Sequence, residues 1–131
     1  MHVRSIFTSW ALALSLAAVS GVAAAAELPF SEKAFALSQT ENKPILVHVW
    51  ASWCPTCKAQ APTLSAIEAD PANKDLVVYK IDFDTQKDAV RDLGVRTQST
   101  LIAFHGTAEK ARSAGDTNPD SIKALAAKAR Q

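Results

Sequence analysis

Residues 45–58 read ILVHVWASWCPTCK, and this stretch decides the fold. Its first six residues form an apolar run that only His48 interrupts, a pattern typical of a strand covered on both faces. From Cys54 to about Ala69 the apolar residues recur at helical spacing, and Pro62 predicts a kink within that helix. The two cysteines therefore lie where a buried strand passes into a helix.

The remaining elements alternate in the same way. The predicted helices cover about 31–40, 54–69, 85–93 and 118–129, and the predicted strands cover about 45–50, 76–83, 100–104 and 109–113. Ser31, Thr85 and Asn118 are predicted N-caps, and Gly94 is the residue expected to stop the third helix. This order predicts an α/β domain, in which a central mixed sheet of about four strands carries helices on both faces.

The first 26 residues are predicted to be a signal peptide. Arg4 lies in a short polar start, residues 6–22 are almost entirely apolar, and three alanines end at Ala26, the small-residue pattern of a cleavage site. An uncleaved membrane anchor is the alternative, because the apolar run approaches the length of a bilayer span. We favour cleavage, which leaves residues 27–131 as one exported domain in the periplasm.

The charge balance indicates no polyanionic partner. Lys and Arg number 14 and Asp and Glu 13, and Arg4 is the only one of them in the predicted signal peptide. The remaining domain is neutral and exerts no long-range attraction on nucleic acid or anionic lipid. We therefore expect no nucleic-acid partner, and contact with a membrane only if the signal segment is retained.

Cys54 and Cys57 are spaced for redox chemistry. A disulfide across two residues closes a very small loop and removes little unfolded-state entropy, so the pair would be a weak structural bridge. At a helix start the free N–H groups and the helix dipole favour a thiolate, the reactive form. One turn later, Cys57 faces the same side and can displace a partner bound to Cys54.

A zinc site is the competing reading of the same pair. A closed site needs four ligands, and the predicted domain offers only the two cysteines, His48 and His105. His105 falls at the far end of its predicted strand, so convergence is not expected. The strand–CxxC–helix context favours a redox pair.

These residues resemble the thioredoxin family, and the similarity covers nearly all of residues 27–131. Residues 47–58 match the family's strand and active-site turn, and Ala61-Pro62 matches the kink of its active-site helix. Further matches are Lys80, Asp84, Gly94-Val95-Arg96 and Thr100-Leu101. The resemblance implies the thioredoxin-like fold and dithiol exchange on protein disulfide or thiol substrates, without a cofactor. It leaves the direction of electron flow open.

Ser99 departs from the family pattern, because it stands where the family has a cis-proline against the sulfurs. A cis bond before a non-proline residue costs about 3–4 kcal/mol, so we expect a trans or rearranged loop at Gln98-Ser99-Thr100. In the family this loop offers backbone groups to a substrate. The Ser99 hydroxyl is expected to be able to donate a hydrogen bond to the Cys54 thiolate.

His48 is a second departure, because it replaces the family's buried acid beneath the second cysteine. A neutral imidazole could act as the general base for Cys57. With Lys80 as its neighbour, like charge and burial are expected to keep His48 neutral. The alternative is a core histidine that fills space and bonds to a backbone carbonyl.

Trp53 is expected to cover the site, and Pro55 and Thr56 replace the dipeptide that thioredoxin itself has between its cysteines. Residues at these two positions tune the redox potential. With Gln98-Ser99-Thr100 they are the predicted substrate-binding residues, beside Cys54, Cys57 and His48 as catalytic residues.

The leading hypothesis is a periplasmic reductase of protein disulfides, kept reduced by a membrane electron relay. The same residues could also work as an oxidant. An alternative is a metal-binding module that holds Cu(I) or zinc through Cys54, Cys57 and either Ser99 or an incoming ligand, without redox turnover. A redox-inactive binding protein is the third possibility.

Overall fold

The structure is a computed structural model that describes residues 24–131. The predicted signal peptide therefore lies almost wholly outside the described residues, and its cleavage stays a prediction. From residue 24 onward, no helix has the length and apolar character needed to cross a membrane.

Five strands and four α-helices form within residues 24–131. The strands are β1 (Glu27–Pro29), β2 (Pro44–Trp50), β3 (Val77–Asp82), β4 (Thr100–His105) and β5 (Ala108–Ala114). The helices are α1 (Glu32–Thr40), α2 (Pro55–Ala69), α3 (Lys87–Asp92) and α4 (Pro119–Lys128), and a 3₁₀ turn covers Pro71–Asn73.

The strands form one mixed sheet in the order β1-β3-β2-β4-β5. Strands β1, β3 and β2 run parallel, whereas β4 is antiparallel to β2 and β5 is antiparallel to β4. This arrangement confirms the predicted thioredoxin-like α/β fold with a mixed sheet. Because β2 is the central strand, the segment that follows it leaves the sheet at the middle of the end formed by the carboxyl end of β2.

The alternation of side chains along β2 explains the two-sided core. Val47 packs in one cluster with Phe35 of α1 and with residues of α3. Leu46 points to the opposite face and packs with Leu64 of α2 and Leu125 of α4. Both faces of β2 are therefore covered, as its continuous apolar run predicts.

Strand β1 is missing from the sequence prediction, which placed about four strands. Its three residues pair in parallel with β3, Glu27 opposite Val78 and Pro29 opposite Lys80. A segment of three residues that includes a glutamate and a proline carries no readable period, so only the tertiary pairing defines it.

The N-cap predictions hold at two helices and fail at the third. Ser31 accepts from the Ala34 N–H at 3.1 Å, and Asn118 accepts from two N–H groups at the start of α4. Thr85 is not a cap, because α3 begins at Lys87 after Gln86. The backbone N–H of Thr85 is instead held by the Asp82 carboxylate in a turn.

Candidate active site

Cys54 is the N-cap of α2 and is joined to Cys57 by a disulfide bond. The backbone N–H of Cys57 donates to Cys54 Sγ at 3.0 Å, and the two Cα atoms are 5.3 Å apart. Pro55 occupies the first helical turn, where its missing N–H costs nothing. The cysteine sulfur thus takes the place that a serine or aspartate oxygen takes in an ordinary N-cap.

This position favours a negatively charged sulfur once the disulfide is reduced. The dipole of the 15-residue helix α2 places partial positive charge at its N-terminus, where Cys54 lies, and the Cys57 N–H already points at Cys54 Sγ. Both effects stabilise a thiolate relative to a thiol. This geometry suits a reactive cysteine pair.

Both cysteines are buried in the disulfide form. Cys54 is 0% and Cys57 is 1% exposed. They form a small cluster with Ala51, against which Trp50 and Phe83 pack. The sequence pattern places a residue at a helix start, but exposure depends on how neighbouring segments close over it.

Trp53 is the exposed aromatic residue beside the pair. Trp53 is 56% exposed, and its Nε1 donates to the Asp84 carboxylate at 2.7 Å. Pro55 is also exposed and Thr56 is half-buried. These three predicted substrate-binding residues thus present a partly apolar surface next to Cys54, with Trp53 oriented by Asp84.

The loop Gln98-Ser99-Thr100 lies at the same end of the sheet, since Thr100 pairs with Val49 at the end of β2. Residues 24–131 contain no cis peptide bond, and Ser99 has a φ of 59°. The left-handed backbone of Ser99 therefore takes the place of the family's cis-proline turn. Its N–H donates to the Val49 carbonyl at 2.8 Å.

The Ser99 hydroxyl does not serve the expected role. It donates to the carbonyl of Gln98 rather than to the Cys54 sulfur. A residue in the left-handed region can satisfy its own hydroxyl locally, and this short contact removes it from the redox centre. The Thr100 hydroxyl is similarly occupied by the Thr97 carbonyl at 2.8 Å.

Gln60 is a buried residue of the site that the sequence analysis missed. Its side chain is 0% exposed, and its Nε2 donates to the Ser99 carbonyl at 3.1 Å and to the Asp116 carbonyl at 2.8 Å. The Gly115 N–H also donates to the Ser99 carbonyl. The sequence signal that could have identified it is a glutamine on the face of α2 that is expected to be buried, since buried polar residues are uncommon.

His48 is 3% exposed and hydrogen-bonds through Nδ1 to Glu27 Oε1 at 2.9 Å. Lys80 is its neighbour on β3, as predicted, but Lys80 Nζ lies 3.3 Å from Glu27 Oε2 and 4.2 Å from the centre of the Trp50 ring. Lys80 thus supplies the expected like charge beside His48, but a carboxylate from β1, which the sequence analysis did not include, contacts the ring. The suggested backbone carbonyl partner is also replaced by this carboxylate.

Two carboxyl groups near His48 have shifted pKa values of opposite sign. Burial alone would raise the pKa of Glu27, but the hydrogen bond with His48 and the charges of His48 and Lys80 outweigh it and hold that pKa below its ordinary value of 4.5. Burial raises the pKa of Glu68, and the charge of Glu27 raises it further.

A cavity of about 160 Å³ connects these groups to the redox pair. Its walls include Glu27, His48, Lys80, Glu68 and Cys57. Of the two cysteines, the second therefore opens on a polar, titratable space. Within the described range, no three His, Cys, Asp or Glu residues gather closely enough to hold a metal ion.

The fold and the N-capping cysteine pair together define a thioredoxin-like α/β domain with a CxxC disulfide. The thioredoxin family model matches residues 27–128. The chain therefore belongs to the thioredoxin family.

Individual relatives agree with this assignment. The chain is 36% identical over 99 residues to a bifunctional thioredoxin reductase/thioredoxin of Mycobacterium leprae, which covers 76% of this chain and 21% of the relative. It is 45% identical over 65 residues to a thioredoxin of Mycobacterium tuberculosis, covering 50% of this chain and 55% of that protein. The chain thus spans about a fifth of the length of the first relative and about half of the length of the second.

Solved structures match over more of their length. Trxlp from Edwardsiella tarda EIB202 superimposes with a TM-score of 0.73 at 42% identity, covering 76% of this chain and 96% of that one. Thioredoxin NaTrxh from Nicotiana alata gives a TM-score of 0.71 at 27% identity, covering 82% and 96%.

Proposed function

We propose that this protein is a periplasmic thiol–disulfide oxidoreductase that reduces disulfide bonds in other proteins. The observation that carries the proposal is the hydrogen bond from the Cys57 N–H to Cys54 Sγ at the first turn of α2. Because this N–H stabilises negative charge on Cys54 Sγ, Cys54 is the cysteine that ionises more readily and acts as the nucleophile.

The reaction proceeds in two exchanges. The Cys54 thiolate attacks one sulfur of a substrate disulfide, and the other substrate sulfur leaves as a thiolate and takes a proton. Cys57 then loses its proton, with assistance from His48, and attacks Cys54 Sγ. The second substrate sulfur leaves, so two electrons have passed to the substrate and the Cys54–Cys57 disulfide has formed.

Substrate recognition falls to the surface around the buried sulfurs. Trp53 and Pro55 offer exposed apolar area, and the half-buried Thr56 lies between the cysteines. Both backbone groups of Ser99 are engaged within the fold. We therefore assign a smaller part in substrate binding to Ser99 than the family pattern implies, and a larger part to Trp53, Pro55 and Thr56.

The reducing direction and the location have separate support. The apolar start that ends at Ala26 has the features of an export signal. The Mycobacterium leprae relative is named for a thioredoxin reductase joined to a thioredoxin, which favours electron flow toward substrates. In an oxidising compartment a reductase needs an external electron source, so a membrane electron relay is the proposed reductant.

Trapping tests this function. A Cys57→Ser variant expressed with its leader should accumulate mixed disulfides with periplasmic proteins, because Cys54 still attacks and nothing displaces it. The matched control is the double variant that also carries Cys54→Ser. Absence of captured proteins, or capture that survives the second substitution, would overturn the mechanism. A redox potential near −120 mV, as in strong oxidants, would overturn the reducing direction.

A further inference from the structure

The hydrogen bond between Glu27 and His48 determines which imidazole nitrogen is free. An ionised carboxylate can only accept, so His48 Nδ1 carries the proton in this 2.9 Å contact. Lys80 Nζ, 3.3 Å from the second carboxylate oxygen, stabilises the ionised form of Glu27. In the neutral ring, Nε2 is then an acceptor, because one nitrogen of a neutral imidazole donates and the other accepts.

His48 Nε2 is buried and has no hydrogen-bond partner among the described residues. A buried acceptor without a hydrogen-bond partner destabilises a fold, and such groups in native structures often have a catalytic role. On β2, His48 shares a face with Leu46, and that face is covered by α2, the helix that starts beside Cys54. The free nitrogen therefore lies beneath the helix that carries Cys57.

His48 and Cys57 both line the 160 Å³ cavity. Its volume exceeds what one water molecule needs, so it has room for a water that carries a proton between the two side chains. The other titratable groups that face it are Glu27 from β1, Lys80 from β3, and Lys58 and Glu68 from α2.

We propose that Glu27 is a positioning residue that makes His48 the general base for Cys57, a Cys–His–Glu arrangement within the thioredoxin fold. The inference rests on the proposed function, since it concerns the second exchange. In the mixed disulfide, His48 Nε2 takes the proton from Cys57 Sγ, and the Glu27 carboxylate stabilises the resulting imidazolium. The Cys57 thiolate forms the bond to Cys54 Sγ as the Cys54–substrate bond breaks. The electron pair leaves on the substrate sulfur, which takes a proton from the imidazolium or from solvent.

Reduction of the aromatic disulfide DTNB separates the two exchanges. Attack by Cys54 releases one coloured thiolate in a first phase, and resolution by Cys57 releases the second. Stopped-flow absorbance on the reduced, purified protein therefore measures both rates in one trace. A missing first phase would contradict the proposed function itself, whereas the second phase alone reports the role of Glu27. A Cys57→Ser variant, which releases only one thiolate, calibrates the assignment.

Glu27→Gln keeps the shape of the side chain and removes its charge. We expect its first phase to stay within about twofold of the unmodified protein and its second phase to slow about 10- to 100-fold at neutral pH. The deficit should shrink as the pH rises above neutral, because solvent hydroxide can then remove the Cys57 proton without His48. Glu27→Asp should recover part of the rate.

Two further variants keep the test decisive. His48→Gln removes the base itself and should slow the second phase about 100-fold or more, with the first phase retained. Asp88→Asn removes an exposed carboxylate of α3 that does not line the cavity, and should leave both phases unchanged. If Glu27→Gln or His48→Gln resolves at the unmodified rate with an unmodified pH profile, the inference is wrong.

Discussion

Gln60 Nε2 donates to the carbonyl oxygen of Ser99 at 3.1 Å, so the helix that carries both cysteines also holds the loop that replaces the family's cis-proline. The same nitrogen reaches the Asp116 carbonyl at 2.8 Å. One buried side chain thus links three segments around the redox pair. The geometry of Ser99 depends on this link as well as on its own backbone.

Gln60→Ala should therefore destabilise the protein by about 2–4 kcal/mol, because it removes two buried hydrogen bonds and leaves a cavity. Urea unfolding followed by circular dichroism measures the change. Gln39→Ala on α1 is the control, since Gln39 is half-buried, and it should cost less than about 0.5 kcal/mol. Equal effects of the two substitutions would show that the Gln60 contacts contribute no stability.

Ser99→Pro, which restores the residue type of the family, should lower stability rather than raise it. Proline fixes φ near −65°, whereas Ser99 has a φ of 59°, and proline lacks the N–H that donates to Val49. We expect a loss of about 3 kcal/mol or more in the free energy of unfolding. Ser99→Gly, which relieves the left-handed backbone, should be neutral or stabilising by up to about 1 kcal/mol. A Ser99→Pro protein as stable as the unmodified one would show that the loop can adopt the family's geometry.

Ionised Glu27 should make the free energy of unfolding depend on pH. Its pKa is lowered in the folded state, so its contribution is present above the ordinary value of 4.5 and is lost as the pH falls through the folded pKa. At neutral pH, Glu27→Gln should lower the free energy of unfolding by about 1–2 kcal/mol. That difference should disappear in acid, as measured by urea unfolding at several pH values.

Glu68 provides a control of opposite sign for that experiment. Its pKa is raised in the folded state, so ionisation at neutral pH opposes folding, and the penalty appears as the pH rises through the folded pKa. Glu68→Gln should therefore be neutral or slightly stabilising at neutral pH. A loss of stability as large as that of Glu27→Gln would contradict the assigned directions.

Trp53→Ala should weaken reduction of a protein disulfide without unfolding the domain. Trp53 is 56% exposed beside Cys54, and a large aromatic surface residue of this kind contributes strongly to binding. We expect kcat/KM for a protein substrate to fall about 10-fold, equivalent to about 1.4 kcal/mol. Leu37→Ala on α1 is the matched control, since Leu37 is 57% exposed. A loss shared by both variants would exclude a specific role for Trp53.

The features that could be predicted from sequence are those encoded locally. The apolar run of β2, the caps at Ser31 and Asn118 and the cysteine at a helix start depend on residues within a few positions of one another. They place the fold and the redox pair correctly. The strand period and the cap rules suffice for such elements.

The features that escaped prediction depend on contacts between distant segments. Glu27 meets His48 only because β1 pairs with β3, and a three-residue strand has no period of its own. Gln60 meets Ser99 only after α2 packs over the loop before β4. The burial of Cys54 likewise results from packing by Trp50 and Phe83, which spacing along the chain does not reveal.

The thiolate content of the reduced protein tests the central claim most directly. Ultraviolet absorbance of the thiolate at pH 7, compared between the unmodified protein and Cys54→Ser, measures the charge on that one sulfur. We expect roughly half of one thiolate or more per molecule, lost in the variant, against a few per cent for a free cysteine. A reduced protein whose Cys54 shows only that few per cent would contradict the account.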